Sequence, residues 1–228
     1  MSGGVQTELR PGCTSDSSTF APAGRLRLGV LVSARGSNLQ AILDASAAGQ
    51  IPADVVAVAC NHPHVMAIER GRRAGVPTEV FPHEAYGKRA VRDAAIVDFL
   101  QKHQVDLVVL AGYDRFLAPI FLETYQNKMI AIHPSLLPAF AGTLHAQADA
   151  LKHGTKVSGC TVFFVNDVPD GGPIILQRAV VVEEDDTVES LSDRILLDEH
   201  RILTEAIGLI ATGRVKIDGR RCRILAPK

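Results

Sequence analysis

His133, in "AIHPSLLP" (131–138), and Asp170, in "VNDVPDGGPIILQ" (165–177), are the two residues best suited to proton-transfer chemistry. An imidazole gains and loses a proton near neutral pH, and a carboxylate folded against it favours the protonated, proton-donating form. Such a pair suits a reaction that develops negative charge on an oxygen and needs a donor for it. Taken singly, each residue also has a plain structural reading. A histidine between an apolar run and two prolines is often a satisfied strand-end residue, and an aspartate before two glycines is ordinary turn chemistry. The pair matters more than either member.

A second candidate lies in "SARGSNLQ" (33–40), between an apolar run and a helical pattern. A turn feeding a helix N-terminus exposes unpaired backbone N–H groups at the positive end of the helix dipole, so Gly36, Ser37 and Asn38 could hold a phosphate. A helix merely capped after a turn explains the same residues. The stretch is neither a GxGxxG fingerprint nor a phosphate loop ending in GK[ST], which argues against NAD binding and ATP hydrolysis.

These residues require elements to carry them. From Arg25 onward, apolar runs alternate with helix-length segments, the pattern of a Rossmann-like α/β fold with a mainly parallel sheet and crossover helices. The strand-like runs are "RLRLGVLVS" (25–33), "DVVAVACN" (54–61), a short "TEVFP" (78–82), "VDLVVLAGY" (105–113) and "MIAIHP" (129–134). Helices are expected from the turn at 34–38 to about Ala48, over "VMAIERGRRAG", from about Gly87 to His103, and around "HAQADALKHG". His133 then falls at the C-terminal end of a buried strand, where open α/β sheets place their chemistry. "SGCTVFFVND" (158–167) and "PIILQRAVVVEE" (173–184) lie too close for a crossover, so they form an antiparallel addition towards the C-terminus. A long helix from Thr187, with an N-cap but no true capping box, and a hairpin around Asp218-Gly219 complete the chain.

The chain has 228 residues, 46% hydrophobic and 21% charged, enough for one sizeable core. Residues 25–228 read as a single domain, and residues 1–24, rich in Gly, Ser, Thr and Pro, as a flexible N-terminal extension. Twenty-four basic against 25 acidic residues give a formal charge of -1, which excludes a general binder of nucleic acid or anionic membrane. No run reaches the roughly 18 apolar residues of a membrane helix. Cys13, Cys60, Cys160 and Cys222 show no metal-ligand spacing and read as reduced thiols of a cytoplasmic protein without a metal.

The motifs "GSNLQAIL", "IERGRRAG", "LAGYDRFL", "IHPSLLPAF", "GCTVFFV", "DGGPIILQ" and "DEHRILTEAI" occur in the order seen in phosphoribosylglycinamide formyltransferases. The resemblance covers about residues 25 to 215. It implies the formyltransferase fold, and transfer of a formyl group from 10-formyltetrahydrofolate to the amine of glycinamide ribonucleotide in purine synthesis. It implies small-molecule partners, no metal, and a monomer or homodimer. By the same resemblance Gly36, Ser37 and Asn38 hold the ribonucleotide phosphate, and Glu199 meets its ribose hydroxyls. Arg89 and the segment Asp114, Arg115, Phe116 and Leu117 line the folate site, with backbone groups of that segment on the pterin. His133 is the catalytic proton donor, and Asp170 keeps it protonated.

The chain departs from the family around this pocket. Ala131 stands where the family has an asparagine, two residues before the histidine and on the same strand face. That position adjoins the folate's formyl group, and an asparagine there would donate to the developing oxyanion. Phe163 stands where a histidine is usual. Asp114 and Phe116 replace Met and Ile, placing a charge and a ring in the folate-lining segment. Ala34 replaces a common glycine, and "FAGTLHAQ" is one residue longer and lacks a proline. Three readings follow: an active glycinamide ribonucleotide formyltransferase with the donor replaced; a related folate-dependent formyltransferase or hydrolase; or an impaired, altered member that binds nucleotide, folate or a protein.

Overall fold

The computed structural model describes residues 24–227, so the expected N-terminal extension lies, but for Gly24, outside the described residues. Nine strands form one sheet in the order β3-β2-β1-β4-β5-β6-β7-β9-β8. In chain order the elements are β1 (Leu26–Val32), α1 (Ser37–Ala47), β2 (Ala53–Cys60), α2 (Met66–Arg73), β3 (Thr78–Val80), α3 (His83–Tyr86), α4 (Arg89–Lys102) and β4 (Leu107–Leu110). They continue with α5 (Pro119–Thr124), β5 (Met129–His133), α6 (Ala146–Lys152), β6 (Val157–Phe164), β7 (Ile174–Val181), α7 (Val188–Ala211), β8 (Val215–Asp218) and β9 (Arg221–Ile224).

The first five strands in the sheet are mutually parallel, and β6 and β7 run antiparallel to their neighbours β5 and β6, as the short connection requires. The C-terminal hairpin forms as the Asp218-Gly219 signal predicts, with β9 beside β7. Parallel strands are covered on both faces, which is why β1 is apolar without alternation from Leu28 to Val32. Leu28, Val30 and Val32 join one core with Leu39 and Ile42 of α1 and Ile202, Leu203 and Ile207 of α7. Leu31 points the other way, into a second core with Ile96 and Leu100 of α4 and Phe121 of α5. Burying each such side chain contributes about 1.5–3 kcal/mol, so the two cores hold the strand ends in fixed relation.

Four details differ from the expectations. β4 is shorter than 105–113, because Gly112 turns the chain at φ 72° and ends the extended run. α4 starts at Arg89 rather than Gly87, whose φ of 65° instead closes α3. The short α3 and α5 were not foreseen, although Pro119 at the first position of α5 is a helix-start signal. The α7 cap is a true capping box: the Ser190 N–H donates to Thr187 Oγ1 at 3.2 Å, and the Thr187 N–H to Ser190 Oγ at 3.0 Å. A serine hydroxyl here fills the role that the sequence pattern reserves for Glu or Gln.

Candidate active site

In the sheet, β1, β4 and β5 are adjacent and parallel. Their C-terminal ends therefore lie along one edge, carrying the 33–38 turn, the 111–118 segment and His133. The crevice outside the carboxyl ends of such strands is where open α/β sheets bind ligands.

At the first of these ends, Gly36 precedes α1 with φ 69° and ψ 35°. A Cβ there would sit 2.8 Å from the Ala67 Cβ, so the turn can lie against α2 only as glycine. No side chain caps α1, and no acceptor among the described residues meets the backbone N–H groups of Gly36, Ser37 or Asn38. Three unpaired donors at a helix N-terminus make an anion cradle. Asn38 is buried and donates from Nδ2 to Glu199 Oε2 at 2.8 Å. Burial pushes the Glu199 carboxyl up, and the Asn38 bond only partly offsets this. The other amide atom, Asn38 Oδ1, is buried and has no hydrogen-bond partner among the described residues.

His133 ends β5 and is buried. Its Nε2 lies 2.9 Å from the Phe140 carbonyl oxygen, which accepts only, so Nε2 carries a hydrogen. Its Nδ1 faces Asp170 Oδ2 at 3.6 Å. The pairing is not a simple result of sheet register. β6 leaves the sheet opposite Met129, where the Val165 N–H donates to the Met129 carbonyl at 2.9 Å. The loop must therefore double back by about the length of β5, ~13 Å, to bring Asp170 to His133. Two features hold it there. Gly172 passes so close to β6 that a Cβ would fall 1.7 Å from the Phe164 carbonyl oxygen. Asp170 sits at φ 50° and accepts from the Gly142 N–H at 2.7 Å.

Next to the histidine, Ala131 pairs in register with Phe163 across β5 and β6. Both are buried in a small apolar cluster with Leu137. The two positions where the resemblance implies polar residues are thus one apolar contact. A polar row lies at the adjoining level, where His133 pairs with Thr161 and Thr161 with Gln177. Thr161 Oγ1 donates to the Ser135 carbonyl at 2.6 Å and accepts from the Leu137 N–H at 3.1 Å, and Gln177 donates to the Leu137 carbonyl at 3.0 Å. These bonds fix the 134–138 stretch that follows the histidine and contains a cis Leu137–Pro138 bond.

The 114–117 segment is held from both ends. Asp114 turns back to the strand ends, accepting from Asn61 Nδ2 at 2.7 Å and pairing with His62 Nε2 at 2.8 Å. At the other end the Ala118 N–H donates to Asp93 Oδ2 at 2.7 Å, and Asp93 is paired with Arg92 in the interior. Between these anchors no acceptor among the described residues meets the N–H groups of Arg115, Phe116 or Leu117. The charge and the ring noted in this segment lie differently: the Asp114 carboxylate turns back to Asn61 and His62, and Phe116 is 63% exposed. Arg89 opens α4 with an exposed side chain, and among the described residues no hydrogen bond or ion pair ties it to the 114–117 segment.

A family model described as formyl transferase matches residues 26–207, spanning every element of this site. The chain belongs to the formyl transferase family. Its relatives include the phosphoribosylglycinamide formyltransferase of Escherichia coli K12, 39% identical over 84% of this chain and 93% of the relative. The solved structure of glycinamide ribonucleotide transformylase 1 from Symbiobacterium toebii is 52% identical, with a TM-score of 0.88 over 90% of this chain and 96% of that one. The Bos taurus trifunctional purine biosynthetic protein adenosine-3 is 43% identical over 87% of this chain, which spans only 20% of that protein.

Several residues of this candidate site in the formyl transferase chain were not singled out from the sequence. Ser33, Asn61 and His62 follow apolar strands directly, and a polar residue at that position was the available signal. Arg92 and Asp93 lie inside a helical pattern and carried none, and Thr161 and Gln177 emerge only from the register of β6 and β7. Among the described residues no group of three or more His, Cys, Asp or Glu side chains could hold a metal, and no helix is long and apolar enough to cross a membrane.

Proposed function

We propose that residues 25–228 form one catalytic domain that transfers a formyl group from 10-formyltetrahydrofolate to the amine of glycinamide ribonucleotide, in the cytoplasm and within purine synthesis. The observation that carries this reading is the set of unpaired donors at Gly36, Ser37 and Asn38, beside Glu199 and one strand end away from the folate segment. The cradle takes the phosphate. Glu199 takes the ribose hydroxyls. The N–H groups of Arg115, Phe116 and Leu117 take the polar edge of the pterin, and the exposed Arg89 takes the acidic tail.

The substrate amine attacks the formyl carbon, the carbon–nitrogen bond to the folate breaks, and the proton lost by the amine ends on the folate nitrogen. The oxygen of the tetrahedral intermediate is anionic and needs donors. His133 serves as that donor and as the proton carrier. Because Nε2 is committed to the Phe140 carbonyl, Nδ1 is the nitrogen that exchanges protons, and Asp170 stabilises the doubly protonated ring. The 8% exposure of Ala131 beside Phe163 favours a second reading, a member with slowed turnover that still binds both small molecules.

Absorbance-monitored formyl transfer from a 10-formyl folate to glycinamide ribonucleotide tests the proposal. Transfer that saturates in both substrates is the expected result. No transfer, together with no thermal stabilisation by either compound, would overturn it.

A further inference from the structure

Asp114 belongs to the segment assigned above to the folate, yet its carboxylate is spent on the protein. Oδ2 pairs with His62 Nε2 at 2.8 Å, and Oδ1 accepts from Asn61 Nδ2 at 2.7 Å. Ser33 Oγ lies 3.0 Å from Asp114 Oδ1 and 2.7 Å from Asn61 Oδ1, donating to one of them while it accepts the Asp114 N–H at 2.9 Å. Burial pushes the Asp114 carboxyl up, but the bonds from His62, Asn61 and Ser33 together outweigh it and hold the group below the usual carboxylate range. The partners come from the ends of β2 and β1, and Asp114 itself follows β4, so the cluster joins three adjacent strands. Ser33 also begins the turn that leads to the Gly36–Asn38 cradle.

The geometry points to His62 and Asp114 as a positioning pair that sets the folate-binding shape of residues 114–117. Resting on the folate reading above, this inference makes the pair act through the backbone, with neither side chain touching the reacting atoms. Among the described residues the segment has two hydrogen-bonded anchors, Asp114 at one end and the Ala118 bond to Asp93 at the other, while Leu117 packs against the second core. With the first anchor cut, the Arg115, Phe116 and Leu117 N–H groups lose their common orientation. The cradle keeps its own glycine turn and its packing on Ala67, so phosphate binding is left nearly intact. The pair is a matched one: a carboxylate in this position without a donor from β2 would be a half-buried charge lacking its main partner.

The test compares Asp114→Ala, Asp114→Asn and His62→Ala in the full chain. Tetrahydrofolate binding is measured by calorimetry, and KM is measured for both substrates. Asp114→Ala is expected to weaken tetrahydrofolate binding and raise the donor KM by about tenfold, the loss of one or two charge-assisted hydrogen bonds. The KM for glycinamide ribonucleotide should stay within about twofold. Asp114→Asn should recover most of the loss, since an amide still accepts from Asn61 and can donate to His62 in its other tautomer. His62→Ala should fall between the two. Equal effects on both substrates, no effect on tetrahydrofolate, or failure of Asp114→Asn to rescue would each overturn the positioning role. A wild-type chain that does not bind tetrahydrofolate would overturn the folate reading itself and this inference with it. Binding that is present and unchanged in Asp114→Ala would overturn the inference alone.

Discussion

Ala131 and Phe163 occupy paired positions on β5 and β6, both buried, two residues from His133 along one strand face. The sequence resemblance implies a polar group at each position, and the register joins the two departures in one apolar contact. An asparagine introduced alone at 131 would meet the Phe163 ring and Leu137, and a buried amide without partners costs about 1–3 kcal/mol. Ala131→Asn alone is therefore expected to lower stability and to raise kcat by less than about tenfold. Combined with Phe163→His, it should raise kcat by about 10²-fold, the usual worth of one oxyanion donor. Steady-state rates and urea midpoints for the two single variants and the double variant decide this. A full gain from Ala131→Asn alone would show that Phe163 is no part of the exchange.

Removing the proton carrier has a larger effect. His133→Ala should reduce formyl transfer by about 10²- to 10⁴-fold, the range for loss of a general acid–base group. Asp170→Asn isolates charge from shape. Asparagine tolerates the φ of 50° at this position and keeps an oxygen for the Gly142 N–H. A fall in kcat of about tenfold or more with both KM values unchanged is expected, since the lost charge acts only on the protonated ring. Wild-type rates in both variants would remove the pair from the mechanism.

What the sequence discloses and what it hides divide along the range of the interactions involved. β1 and β2 are continuous apolar runs bounded by polar turns, so local pattern suffices for them and for the parallel core they build. The left-handed turn at Gly36 and the strand-end place of His133 are legible in the same way. The direction of Asp114 is not, because Ser33, Asn61 and His62 come from other strands and only the sheet order β2-β1-β4 brings them together. Asp170 reaches His133 through a loop that runs against its own strand, and the close approach of Gly172 to Phe164 is a tertiary fact without a local signature. Ala131 and Phe163 stood out singly, but their contact depends on a register that no single segment specifies.

The buried pair Arg92–Asp93 gives a stability prediction with its own internal control. Arg92 is 2% exposed and Asp93 fully buried, at 2.7 Å, and Asp93 also holds the Ala118 N–H. Asp93→Ala strands a buried guanidinium and should cost on the order of 3–5 kcal/mol. Replacing both, with Arg92→Leu and Asp93→Ala, removes the stranded charge and should cost less than Asp93→Ala alone. Denaturant midpoints measure both. If Asp93→Ala costs no more than an ordinary surface change, this pair does not anchor the 114–118 segment.

Glu199 links the site to the pH dependence of folding. Burial pushes its carboxyl above the ordinary range, so the native state holds this proton to higher pH than the unfolded chain does. Stability changes with pH in proportion to the protons bound by the unfolded state minus those bound by the native state, and that difference is negative here. The contribution is therefore fully present below the unfolded carboxyl value of about 4.3 and is lost as pH rises through the native one. Glu199→Gln removes the titration while its amide oxygen still accepts from Asn38 Nδ2. The variant should be more stable than the wild type at pH 8, and the gap should close towards pH 4. The same variant should bind glycinamide ribonucleotide less tightly, because a neutral amide is a weaker acceptor for ribose hydroxyls than a carboxylate. Urea midpoints across that range, paired with calorimetric titration of the ribonucleotide at pH 8, read both effects. A constant stability gap would mean that Glu199 does not titrate with folding. Unchanged ribonucleotide affinity would remove it from the ribose site.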